Sequence, residues 1–159
     1  MPPTVKKKID PQPQQPPLDS VLADLAKRRV ELDALDTQIS GLIKRVEEGL
    51  RKHFSTRVAL DISNAHQTDN QEYTFLAFGK HEGKWQLLLE EGDYRDPEHE
   101  RVMALTSAPR ETRANVFAWG KIEALVRNAV GELDKQISER RLALETGTAI
   151  AQALDGVPF

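Results

Sequence analysis

The segment Gly79-Lys80-His81-Glu82-Gly83-Lys84-Trp85 has the glycines and lysines of a phosphate-binding loop. That chemistry needs one more residue between the glycines, a Ser or Thr for magnesium where Trp85 stands, and a helix opening behind it. The segment therefore reads as a hairpin tip. The four histidines, His53, His66, His81 and His99, share no helical face and form no HExxH spacing. Asp93, Asp96, Glu98 and Glu100 lack the spacing and the glycine of a calcium loop and read as a solvated acidic connection. There is no GxSxG elbow and no glycine-rich dinucleotide fingerprint. The absence of cysteine removes thiolate catalysis and zinc-thiolate sites. No residue is assigned a catalytic, cofactor-binding or metal-binding role, and a non-enzymatic protein is expected. Catalysis would instead need two or more of Asp61, His66, His81 and His99 to converge in a concave pocket.

Composition points the same way. The chain has 159 residues, 30% of them charged and only 6% aromatic. High charge with few aromatics fits long helices better than a deep pocket. No apolar run approaches the roughly 18 residues of a membrane span. The N-terminal lysines have no apolar h-region behind them. With no disulfides, a cytoplasmic protein is expected. The net charge of −3 is unevenly spread. Residues 18–54 and 108–159 are each neutral, residues 1–17 carry +2, and residues 55–107 set ten acidic against five basic side chains. Only Lys6, Lys7 and Lys8 offer clustered positive charge for phosphates.

Residues 1–17, rich in Pro and Gln, are expected to be a disordered tail, and 18–159 one helix-sheet-helix domain. Leu18, Leu22, Leu25, Arg29, Leu32, Asp36, Ile39, Ile43, Val46 and Leu50 alternate steps of four and three. This is a heptad seam on a helix from Leu18 to Phe54, too narrow and long to stand alone in water. Arg29 and Asp36 interrupt it and are expected to pair with charges on a partner helix or a second copy. Glu47 with Arg51 and Glu48 with Lys52 are expected on its outer face. A second helix is predicted from Ser107 to Leu154, with the stripe Val116, Trp119, Ile122, Val126, Val130, Leu133, Ile137 and Leu144. Gly147 is expected to loosen or break it, and Gly131 is the other candidate.

Between the helices, Val58, Leu60 and Ile62 alternate as a strand, and residues 73–80 and 84–91 form a hairpin turning at Glu82-Gly83. This register sets Phe78 opposite Leu87, Leu76 opposite Leu89 and Trp85 opposite Lys80. Their face is predicted to lie under the C-terminal helix. Tyr73, Phe75 and Leu88 fall on the other face. A fourth strand at residues 102–105 is an open alternative to a loop.

The predicted class is α+β: two long helices in an antiparallel, coiled-coil-like hairpin with a three-stranded antiparallel sheet between them. This element order resembles that of small bacterial nucleoid-associated tweezer dimers of the YbaB type. The resemblance implies a dimer that binds nucleic acid, with Lys6, Lys7 and Lys8 as the candidates. The residues themselves favour a protein-protein interaction module: an adaptor, assembly factor or inhibitor. It would form a homodimer and engage a further protein through Lys80, His81, Glu82, Lys84 and Trp85, or through Arg29 and Asp36 on the stalk.

Overall fold

A two-residue turn sets the sheet. Glu82 and Gly83 both adopt positive φ, 50° and 78°, the conformation of a type I′ turn, whose twist matches that of the strands it joins. The computed structural model describes residues 2–5, 15–63 and 71–157. Lys6, Lys7, Lys8, most of the predicted tail, and His66 lie outside them. The described residues form α1 (Leu18–His53), β1 (Val58–Asp61), β2 (Glu72–His81), β3 (Lys84–Asp93), β4 (Asp96–Ala104), a 3-10 turn (Leu105–Ser107), α2 (Arg110–Ala118) and α3 (Lys121–Asp155). The chain forms two packing units, 1–37 and 38–159.

The class is α+β, with a four-stranded antiparallel meander ordered β1-β2-β3-β4. Phe78 pairs with Leu87, Leu76 with Leu89 and Lys80 with Trp85, as the turn dictates. Strand alternation then sorts the side chains onto two faces. One presents Val58, Leu60, Leu76, Phe78, Trp85, Leu87, Leu89 and Met103. Ile43 and Leu50 of α1, and Phe54 just after it, join it in a single core with Val116 of α2 and Ile122, Leu125 and Ala129 of α3.

Two features correct the sequence reading. The sheet has four strands, because Asp96–Ala104 pairs with β3 from Asp93 to Leu88. Its residues 97–101 are all exposed, so β4 is a charged edge strand, a device that discourages pairing with other chains. The C-terminal helix is two helices, and it breaks at neither predicted glycine. Gly131 and Gly147 lie within α3, where glycine costs about 1 kcal/mol and is tolerated. The break falls at Gly120, left-handed at φ 68°. It follows α2 as the left-handed residue that glycine accommodates, donating its N–H to Phe117 O at 3.0 Å, and its own carbonyl receives Ala124 N–H at 3.0 Å as α3 begins. The break resets the helical phase. The buried stripe of α3 becomes Ile122, Leu125 and Ala129, and Trp119 is turned out, 58% exposed. With four strands and three helices, the element order no longer matches that of the nucleoid-associated dimers.

Candidate interaction surfaces

The hairpin tip is exposed at Lys80, Glu82 and Lys84. His81 and Glu82 approach within 3.9 Å, and the Gln86 side-chain amide donates to His81 O at 3.1 Å. Trp85 is tied inward: its ring stacks on Phe78 with centroids 5.6 Å apart. The tip thus offers two lysines and a glutamate on a rigid turn, with the large aromatic partly withdrawn beneath them.

The seam of α1 behaves differently along its length. Within residues 38–159, Ile43 is fully buried and Ile39 and Val46 pack against the core. Beside this packed stretch an apolar groove of about 370 Å³ opens between the helices. Val46, Gly49, Leu50 and His53 of α1 with the adjoining Phe54 line one side, and Val126, Ala129, Val130 and Leu133 of α3 the other. Farther along α3, Ile137, Leu142, Leu144, Ile150 and Leu154 are exposed. In the N-terminal unit, Leu18, Leu22, Leu25 and Leu32 are each more than half exposed. Arg29 there pairs with Asp33 one turn on, at 3.2 Å. Asp36 is half-buried.

A third arrangement escaped the sequence. Glu47 and Arg51, expected outside, both turn toward the sheet. β4 ends at Ala104 opposite Leu88, so β3 continues past it with its rim uncovered. Leu87 N–H on that rim donates to Glu47 Oε1 at 3.1 Å, and Arg51 Nη1 donates to Trp85 O at 3.3 Å. One turn of α1 thereby supplies the acceptor and donor that a neighbouring strand would have supplied. Burial pushes the Glu47 carboxyl above its ordinary pKa, against the opposing pull of the Leu87 N–H and of Arg51, Lys84 and Lys44. The sequence cue was the seam itself: Glu47 directly follows Val46 and precedes Leu50 by three.

On the second sheet face Ala77 and Leu88 are buried, outside the main core cluster. Arg57 reaches across this face to an ion pair with the buried Glu90. Tyr73 sits between Phe75 and Tyr94, with ring centroids 5.2 and 4.8 Å away. The Tyr73 ring lies over Gly92, where a Cβ would collide with its hydroxyl. Of the four candidate catalytic groups, Asp61 and His81 are described on β1 and at the end of β2. Asp61 pairs with Phe75, six residues from His81, about 20 Å along the strand. His99 is exposed on β4 and contacts Asp96 at 2.5 Å. Among the described residues no group of three or more His, Asp or Glu is placed to hold a metal ion. Among them, no helix is long and apolar enough to cross a membrane. The chain matches no protein-family model, and neither a curated protein nor a solved structure is significantly similar to it.

Proposed function

We propose that the protein is a non-enzymatic protein-protein interaction module built on a coiled-coil stalk, an adaptor, assembly factor or inhibitor working in the cytoplasm. The observation that carries this reading is the exposure of Leu18, Leu22, Leu25 and Leu32 at heptad spacing on one 36-residue helix. A solitary helix gains little stability in water from propensity alone. An apolar ridge on it, interrupted at Arg29, favours a covering helix, as in a coiled coil. The finer architecture proposed is a short coiled-coil-like pairing of α1 with α3 inside the body, where Thr56, just past α1, accepts a hydrogen bond from the Gln136 amide of α3. The groove lined by both helices supports it. The hairpin tip, Lys80 to Trp85, is a secondary contact surface in this reading.

The test replaces Leu25 and Leu32 together by Glu. Both side chains are exposed, so at a concentration where the chain is monomeric the body should unfold at an unchanged denaturant midpoint. Proteins captured from lysate by the parent chain and competed off by excess untagged parent should be lost with the variant. Retention of the same captured proteins by the variant would overturn the proposal.

A further inference from the structure

We infer that the helix covering the α1 seam is the α1 of a second copy, laid antiparallel across residues 25–36. This rests on reading the seam as an interaction surface, and it names the occupant.

The argument is one of charge and register. Lys27, Arg28 and Arg29 form a basic block, and Glu31, Asp33 and Asp36 an acidic block immediately after it. All three basic side chains and Glu31 are exposed, and Asp33 and Asp36 are half-buried. Two copies side by side in parallel would set basic against basic and acidic against acidic, which disfavours association. Turned antiparallel about an axis near Val30 and Glu31, each basic block faces the other copy's acidic block. The same axis satisfies the seam. Arg29 falls in a layer with Leu32 of the second copy, and Leu25 in a layer with Asp36. The arginine stem can cover the leucine while its guanidinium reaches the acidic block. Val21 and Leu35, exposed beside the seam, widen the apolar strip. The Arg29–Asp33 pair within one helix is exposed on both sides and weak in isolation, so it does not oppose a second contact. The helix is electrically neutral from residue 18 to 54, so two such helices meet without net repulsion.

The absence of native cysteine makes the geometry readable, since any introduced thiol is the only one present. In the antiparallel pair, residue 22 of one chain lies level with residue 39 of the other, about 26 Å along the axis from its own counterpart. A short bismaleimide should therefore link Leu32→Cys dimers and fail to link Leu22→Cys dimers. A parallel pair would be linked at both. Sedimentation should show the parent as a dimer. Arg29→Asp should raise the dimer dissociation constant about tenfold or more, and Arg29→Asp with Asp36→Arg should restore it. Far-UV dichroism of each variant checks that the helix is retained. A parent that stays monomeric at all concentrations, a dimer indifferent to Arg29→Asp, or efficient linkage through Leu22→Cys would each overturn the inference. A monomer whose capture of another protein is still abolished by the Leu25 and Leu32 substitutions would sink self-pairing while leaving the interaction-surface reading standing.

Discussion

The two halves of α1 carry the same repeat and meet opposite fates. Ile43 and Leu50 are buried against a sheet, whereas Leu22 and Leu25, earlier in the same seam, face water. Both halves step by four and three, with Leu18, Leu22, Leu25 and Leu32 in one and Ile39, Ile43, Val46 and Leu50 in the other. Heptad spacing reports that a face requires cover; it says nothing about what supplies the cover. In the C-terminal half the cover is the sheet with α2 and α3. In the N-terminal half it is the second chain proposed above.

The sharpest way to break this contrast is to remove one side chain from each half. Ile43→Ala empties a fully buried position and should cost about 2–5 kcal/mol in urea unfolding. A loss below 1 kcal/mol would mean that the buried half is not the anchor of the fold. Next comes the polar contact in the buried half. Glu47→Ala leaves Leu87 N–H without its acceptor and should cost about 1–3 kcal/mol. Glu47→Gln keeps an acceptor and isolates the titration. Because burial raises the Glu47 pKa, the folded state binds this proton more tightly than the unfolded chain. The carboxyl is therefore most favourable at low pH, and its contribution declines as pH rises through its raised value. The stability of the parent minus that of the Gln variant should fall as pH rises from the ordinary carboxylate range through the raised value. A difference that rises instead would reverse the assignment. The smallest effect belongs to the exposed half: Leu25→Ala, at a concentration where the chain is monomeric, should shift unfolding of the body by no more than about 0.5 kcal/mol.

Much of the fold was legible where local chemistry dictates geometry. Glu82-Gly83 admits one tight turn, and that turn fixes every pairing of β2 with β3 down to Leu76 with Leu89. Only the end of the fourth strand was legible, as the open alternative at residues 102–105, because an edge strand need not alternate: β4 shows apolar side chains only at Val102, Met103 and Ala104. The helix break was hidden because Val116, Trp119 and Ile122 keep helical spacing straight through Gly120. Only the left-handed backbone there reveals that Trp119 belongs to no buried stripe. Of the candidate surfaces, the seam and the hairpin tip could be read in the residue order. The inward turn of Glu47 and Arg51 was only hinted at by the place of Glu47 beside Val46, because it depends on where β4 stops, a fact written more than fifty residues away.

That inward turn has a consequence for how α1 tolerates change. Two hydrogen bonds to one strand rim fix the rotational angle of the helix as well as its distance. Inserting one residue between Glu47 and Arg51 would swing one of them about 100° off the rim, baring backbone that a foreign strand could use as a template. The same insertion ahead of residue 38 would leave this clasp untouched and only re-aim the leucines upstream. Length variation in α1 should thus be forbidden at its C-terminal end and harmless to folding at the other, so that the choice of partner can drift without endangering the body that carries it.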